Sequence, residues 1–359
     1  MRYRVAHTIH EVEEDRWDAV ASADLLMTHR WQRVMEAGGR DYRPRYVLLE
    51  DKRGPLAAAV AHRSGPLGGR GWSGALLGRL TSVLTAPLSA GHCGVALRRG
   101  VALEEALPYI EKALAGLAWQ EGRLLLAINN VGEAALPEWR AQGYLAVPRP
   151  PDMVLDLAGQ AGGRADGSGQ QPTYEQYLER LPARHRHELR RVRRRGDALG
   201  VRITQEAPGS RGEQLCPLLG EVFARHGAAP DATPFTPALF DALEQEMPGE
   251  AVVFVGSVGE ELAGFGLGLV QNDTLVWPLL GMRYDLAYPS GLYFLLIDEG
   301  IRWGIRHGVR RIHAGVTNEA QKQRHGFHAR PRWVCLRARP RALQVLLAAG
   351  LRLAGISNS

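Results

Sequence analysis

Lysine is nearly missing from this 359-residue chain. It occurs three times, at Lys52, Lys112 and Lys322, and arginine carries the rest of the 44 positive charges. A lysine in such a background invites a specific explanation. Cysteine is just as scarce: Cys93, Cys216 and Cys335 are isolated and unpatterned. That excludes a disulfide framework and predicts three small buried hydrophobes in a reducing, cytoplasmic setting. No apolar run reaches about 18 residues, so no transmembrane segment is expected. Met1-Arg2-Tyr3-Arg4-Val5 lacks the apolar core of a secretion signal. Walker A and Gly-x-Ser-x-Gly sequences are missing as well. Gly264-Phe265-Gly266-Leu267-Gly268 resembles a dinucleotide loop only superficially, because it lies inside an expected strand with no helix after it. His325-Gly326-Phe327-His328 has no cysteine or carboxylate at zinc-ligand spacing, so no metal is expected.

What is present begins with charge. Hydrophobic residues make up 45% and charged residues 23% of the chain, and its length suffices for two domains with separate cores. The net charge of +6 is very uneven. Between Arg180 and Arg195 there are eight arginines against one acid, Glu188, so this window carries 8 − 1 = +7 and the remainder 6 − 7 = −1. A local patch needs a local cause. On a helical wheel His185, Leu189, Val192 and Leu199 form an apolar stripe, flanked by Arg186, Arg190 and Arg194 on one side and Arg184, Arg191 and Arg195 on the other. Three readings stay open: a solvated amphipathic helix, a phosphate-binding helix whose guanidinium forks grip a nucleic-acid carrier or a diphosphate, and a membrane-surface helix.

The chain also repeats itself. Leu107–Tyr144 reads helix, glycine, apolar strand, asparagine, then Trp-Arg-Ala-Gln-Gly-Tyr; Leu292–Phe327 reads helix, glycine, strand, asparagine, then Gln-Lys-Gln-Arg-His-Gly-Phe. The glycines after the helices are offset by 308 − 122 = 186 and those before the closing aromatics by 326 − 143 = 183. Two degenerate copies of one α/β unit follow.

Around these copies the patterning predicts helices near 11–22, 28–37, 104–120, 213–226 and 291–307. In the 104–120 helix Leu107, Ile110, Leu114 and Leu117 share a face; in the 291–307 helix Phe294, Ile297, Ile301 and Ile305 do. Strands are expected at 46–51 and 56–61, turned by Lys52–Pro55, and at 123–128. Segments 252–255, 262–270 and 274–280 read as an antiparallel meander turning at 257–260 and at Asn272-Asp273, with a further strand at 310–316. Gly65–Gly78 reads as a loop, and 158–172, without large apolar residues, as a flexible linker. Thr173-Tyr174-Glu175-Gln176 is a capping box opening a helix, Pro182 suits the first turn of the next, and Gly200 ends it. The fold expected is α+β, in domains 1–157 and 173–359.

These residues resemble the GNAT acyltransferase superfamily, and within it the tandem-domain Fem-type aminoacyltransferases and related acetyltransferases. Three segments carry the likeness: Tyr174-x-x-Tyr177-Leu178-x-x-Leu181 followed by Arg184–Arg195, the helix end Trp303–Gly308, and Lys322-x-x-x-Gly326-Phe327. The resemblance implies two GNAT-like domains in tandem, each a mixed, mainly antiparallel sheet flanked by helices. It also implies that the Lys322 ammonium lies beside the acyl carbonyl and stabilises a developing oxyanion. One departure stands out. Members using acetyl-CoA present Arg/Gln-x-x-Gly-x-Gly/Ala before the helix that receives the pyrophosphate, and Tyr284–Gly291 does not match it.

The expected site therefore comprises Lys322, with Asp285 and His313 as candidate bases beside Glu319 and His325. Tyr288, Tyr293, Asn318, Arg324 and Phe327 would line the substrate cleft, and Arg184, Arg186, Arg190, Arg191 and Arg194 would contact carrier phosphates. Each has a plainer reading, as surface charge, packed aromatic or turn asparagine. No permanently bound cofactor is expected. The leading expectation is direct attack of an acceptor amine, from a small molecule or a peptidoglycan precursor, on an aminoacyl ester of tRNA. The alternatives are an acyl-CoA donor, or a non-catalytic RNA- or partner-binding module of the same fold.

Overall fold

The computed structural model describes residues 1–40, 42–62, 81–84, 93–158, 172–225 and 235–355. The expected Gly65–Gly78 loop and nearly all of the expected linker lie outside them. In chain order the elements are β1 (Arg2–Ala6), α1 (Glu14–Ala21), α2 (His29–Gly38), β2 (Pro44–Asp51), β3 (Gly54–His62), β4 (Thr81–Leu84), β5 (Val95–Leu97), α3 (Leu103–Gln120), β6 (Leu125–Val131), α4 (Leu136–Ala141) and β7 (Leu145–Asp156). Then follow α5 (Tyr174–Arg180), α6 (Ala183–Ala198), β8 (Val201–Glu206), α7 (Gly212–Arg225), α8 (Ala238–Glu246), β9 (Ala251–Val258), β10 (Glu261–Gln271), β11 (Thr274–Met282), α9 (Tyr284–Ser290) and α10 (Leu292–Arg306). The chain ends with β12 (Arg311–His313), α11 (Glu319–Arg324), β13 (His328–Ala338) and α12 (Arg341–Leu353).

These elements form two compact units. The first comprises Met1–Glu36, Asp41–Pro150 and Pro331–Ser359; the second, Ala37–Arg40 and Pro151–Arg330. The 331–359 segment thus joins the first unit, not the 173–359 domain expected of it. The cause is strand length. β13 starts in the second unit, but its later residues pair with β6, Cys335 against Ile128 and Ala338 against Leu125. β7 does the converse, pairing Val154–Asp156 with β12 of the second unit. Strands of 11 and 12 residues reach into both sheets.

In the first unit the strand order is β1-β2-β3-β4-β6-β13, with β5 also on β3. The middle of β2, Tyr46–Leu49, is apolar without alternation for a visible reason. Val47 and Leu49 pack with Leu107, Ile110 and Leu114 of α3, whereas Tyr46 and Leu48 pack on the other face with Trp17 of α1. Both faces are covered, so the alternation of a half-exposed strand disappears. The turn to β3 is tighter than expected: Asp51 faces Gly54, whose φ of +107° suits glycine.

In the second unit the order is β7-β12-β11-β10-β9-β8. The meander forms as expected, with turns between Val258 and Glu261 and between Gln271 and Thr274, where Asn272 is left-handed. Among the described pairings each unit has one parallel pair, β4 with β6 and β11 with β12, and the others are antiparallel. This is the mixed, mainly antiparallel α+β class expected. α10 is buried on more of its circumference than one stripe. Leu292, Leu295, Leu296, Ile297 and Ile301 are buried, whereas Phe294 and Ile305 are half-buried. β12 is shorter than the expected 310–316 strand, because Gly315 turns to φ +68° just beyond it.

Candidate active site

β11 and β12 run side by side for only three residues, from Thr274↔Arg311 to Val276↔His313. At that point β11 bulges: Val276 faces Leu269 and Leu279 faces Leu267, leaving Trp277 and Pro278 opposite Gly268. Proline has no N–H to give a ladder and suits a bulge. The indole of Trp277 is held by stacking on Phe254 with centroids 5.2 Å apart, and a Cβ at Gly266 or Gly300 would collide with it. Beyond the bulge, Leu279–Met282 stay paired with β10, while on the other edge the described pairing with β12 has ended. A free strand edge is a template for an extended, amide-bearing ligand.

Lys322 sits where β12 ends. Its Nζ donates to the carbonyls of Ala314, the residue after the last pair, and of Gly315, the latter at 3.3 Å. The residue is only 3% exposed. Burial lowers its proton affinity to about 8, partly opposed by the charge of buried Asp152. The ammonium is thus not an open surface cation. Two of its three N–H donors are engaged by backbone carbonyls.

α11 brings Lys322 there. Its N-cap Asn318 is left-handed at φ +56°, and the Asn318 side chain shares a hydrogen bond with the hydroxyl of Tyr293 in the first turn of α10. Burial pushes the Tyr293 phenol up to about 12, so it stays protonated. Near it, Arg225 of α7 lies over the Tyr284 ring at 4.5 Å. Lys322, His313, Asn318 and Tyr293 are therefore gathered at one end of β12 and α10, with His313 on the last pair of β12.

Other expected site residues lie elsewhere. Asp285 is exposed and held by Arg283, which also binds Glu261; this ion pair lowers its proton affinity and makes it a poor base. Tyr288 is 80% exposed on α9, away from any described packing. Phe327 is in the core. Arg324 is bound to Glu188 of α6, with its guanidinium 5.9 Å from the Phe294 ring centre. Glu319 is exposed and accepts from Gln323. His325 is fully buried, stacked on Phe294, and burial holds it neutral. These placements follow from contacts made across the fold.

The arginine helix divides into two sets. Arg193 and Arg302 both bind Asp298, which also accepts from the Tyr174 hydroxyl. Arg302 stacks 3.6 Å from the Tyr174 ring centre. Asp298 is nearly inaccessible; burial disfavours its charge, but these donors win and its carboxyl lies below the usual range. This network clamps α5 and α6 to α10. Arg186, expected on a phosphate, donates instead to the carbonyls of Glu179 and Leu181 and closes the α5–α6 turn. Arg184, Arg190, Arg191, Arg194 and Arg195 are exposed, and among the described residues none of their guanidinium groups has a hydrogen-bond or ion-pair partner. Leu199 is exposed too, because the buried stripe of α6 ends at Gly196, where a Cβ would strike Leu295. α6 crosses the start of α10 there: a Cβ on Gly291 would lie 2.7 Å from Val192 and 3.2 Å from the Arg195 guanidinium.

Gly291 also marks the departure from the CoA-loop pattern. Tyr284–Ser290 is a helix, ended by Gly291 at φ +72°, and the Ser290 hydroxyl donates to the Leu286 and Ala287 carbonyls. Asp152 and Asp298 were not expected in the site. Asp152 is 322 − 152 = 170 residues from Lys322, with no sequence signal joining them. Asp298 carried a weak one: it follows Leu295, Leu296 and Ile297 on an otherwise apolar helix, although Glu299 adjoins it.

A model of the acetyltransferase (GNAT) domain matches residues 183–323. This region is a GNAT acetyltransferase domain. The match spans the arginine helix, the bulged β11 and Lys322. Among solved structures, FemX aligns over 96% of this chain and 99% of its own at 10% identity and a TM-score of 0.58. The C-terminal domain of a putative lysylphosphatidylglycerol synthetase from Agrobacterium fabrum aligns over 96% and 98%, at 14% identity and a TM-score of 0.56. A tandem GNAT protein of the clavulanic acid biosynthesis pathway aligns over 94% and 98%, at 13% identity and a TM-score of 0.54. At such identities the likeness is one of fold, and the fold spans both units. No curated protein matches the sequence. Residues 183–323 thus match the GNAT domain model, and the chain as a whole shares its fold with these structures.

Proposed function

We propose that this GNAT protein moves an aminoacyl group from aminoacyl-tRNA onto an amine of a small-molecule or peptidoglycan-precursor acceptor. The observation that carries this reading is the set of five exposed arginines on α6 beside the start of α10. A guanidinium without a protein partner is suited to phosphate, and several on one helix suit a polyanion. FemX and the lysylphosphatidylglycerol synthetase share the fold, and the latter's name describes lysyl transfer. Three free thiols fit a cytoplasmic setting.

In this reaction the neutral acceptor nitrogen attacks the ester carbonyl and the Lys322 ammonium supports the resulting oxyanion. The C–N bond forms, the ester C–O bond breaks, and the nitrogen's proton passes to the departing ribose oxygen, directly or through water. Orientation supplies much of the rate, so no strong base is needed. The charge on Lys322 is required, so turnover should fall as pH rises through about 8.

The test is incubation with charged tRNAs and with CoA thioesters in parallel, reading product by mass spectrometry. Binding of tRNA should fall with salt at a log–log slope of about −3 to −4, for roughly four neutralised phosphates. Arg190→Glu/Arg194→Glu should flatten it. Product from CoA thioesters alone, with salt-insensitive binding, would sink the tRNA donor. One observation favours acyl-CoA as a second reading: the free edge of β11 suits an extended arm with amides. Lys322→Ala distinguishes both from a non-catalytic RNA-binding module, which would lose neither binding nor any turnover.

A further inference from the structure

The C-terminal helix α12 is apolar on both sides. Gln344 pins it to the first unit, accepting from the Ala338 N–H at 2.6 Å and donating to the Gly143 carbonyl at 2.9 Å. Leu343, Leu347 and Leu351 share the half-buried side with it. The opposite arc faces outward with Val345 68%, Leu346 67% and Leu353 90% exposed. A solvent-facing helix would carry polar residues there. At about 100° per residue, Arg341 and Arg352 fall together at one edge of this arc, next to Val345. No aspartate or glutamate occurs anywhere after Glu319. An exposed tryptophan lies in the same unit: Trp119, 81% exposed, ends α3, and the chain from it leads to Leu124, whose carbonyl accepts the Arg339 N–H just before α12.

We propose that α12 docks the first unit on an anionic lipid surface. The outward arc would lie among the acyl-chain ends nearest the headgroups, and Arg341 and Arg352 would reach their phosphates while their stems cover apolar surface. At 13 residues the helix is about 20 Å long and lies in the interface plane. No described helix is long and apolar enough to cross a membrane. A second copy fits this face less well, because pairing two such helices adds arginines to arginines with no acid to offset them.

The test is sedimentation of the full chain with vesicles of phosphatidylcholine alone or mixed in equal parts with phosphatidylglycerol. Wild type should pellet with the mixed vesicles and partition about tenfold less onto phosphatidylcholine. Val345→Gln/Leu346→Gln/Leu353→Gln, with its melting temperature checked, should lower partitioning about a hundredfold. Arg341→Gln/Arg352→Gln should lower it about tenfold. Leu353→Gln alone, at the helix end where folding is least at risk, should still cost about fivefold. The proposal is overturned if wild type stays in the supernatant at low salt. It is equally overturned if the apolar variants bind like wild type while Arg190→Glu/Arg194→Glu abolishes binding, which would assign lipid contact to α6. A concentration-dependent dimer without vesicle binding, lost in the triple variant, would assign the face to a second copy.

Discussion

In the first unit α3, β6 and α4 lead to Gly143 and Tyr144; in the second α10, β12 and α11 lead to Gly326 and Phe327. The backbones agree closely. Gly122 and Gly308 have φ of 65° and 76°, Gly143 and Gly326 have 82° and 79°, and Asn130 and Asn318 have 60° and 56°. With the 183-residue offset of the closing glycines, Lys322 corresponds to 322 − 183 = 139, which is Trp139. Trp139 is fully buried and meets Tyr144 edge-on at 5.2 Å. One copy closes with an aromatic plug. The other buries an ammonium on two carbonyls. The first position is filled by an apolar ring whose indole N–H is left without a partner, whereas the second accepts a desolvated charge that stability alone does not require. The proposed chemistry rests on that difference and falls in the second unit.

The comparison can be broken by exchanging its terms. Trp139→Lys should destabilise the first unit most, by about 4 kcal/mol or more, read by chemical denaturation. A well-folded Trp139→Lys protein would mean that the first copy tolerates a site as readily as the second. Lys322→Met should lower turnover about 10²- to 10³-fold with donor affinity retained. An unchanged rate would reduce Lys322 to a packing residue.

A third test uses pH. Folded Lys322 releases its proton near 8, while an unfolded lysine does so near ~10.4. Between these values the unfolded chain holds more protons, so stability rises with pH; below about 8 the buried charge weighs in full. Wild type should therefore gain on Lys322→Met by about 1–3 kcal/mol over this window. A constant difference would show that the ammonium is not desolvated. His325 works at the acid end. Burial lowers its proton affinity, so the unfolded chain takes up a proton first as pH drops below about 6.5, and stability falls. His325→Phe should remove that part of the acid sensitivity.

The smallest effect is the most discriminating. Asn130 and Asn318 share one backbone conformation, which glycine adopts without strain. Glycine at exposed Asn318 should leave folding within about 0.5 kcal/mol, whereas at fully buried Asn130 it also removes a packed polar side chain and should cost more. Only Asn318→Gly loses the bond to Tyr293, and it should lower turnover several-fold, roughly as expected of one lost hydrogen bond. Equal effects at both positions would remove Asn318 from the site.

Much of the fold was legible along the chain, for local reasons. The capping box at Thr173 formed, with Gln176 N–H to Thr173 Oγ1 at 3.2 Å and Thr173 N–H to Gln176 Oε1 at 2.8 Å. Leu107, Ile110 and Leu114 formed the buried stripe expected of them. The site was legible only as residue types. Arg186 and Arg190 have the same chemistry and lie one helical turn apart in the same arginine-rich segment, yet one closes a turn and the other meets solvent. Asp285 and Asp298 differ likewise, one in an exposed ion pair and one at the centre of a buried network.

From the sequence alone came the duplicated unit, its glycines and asparagines, the meander and the isolated lysine, because these depend on spacing and on residues within a turn or two. Tertiary structure decided the strand exchange by β7 and β13, the bulge that parts β11 from β12, and the direction of the Lys322 side chain. Those depend on partners up to 338 − 125 = 213 residues away, and register, burial and proton affinity exist only once such partners have met.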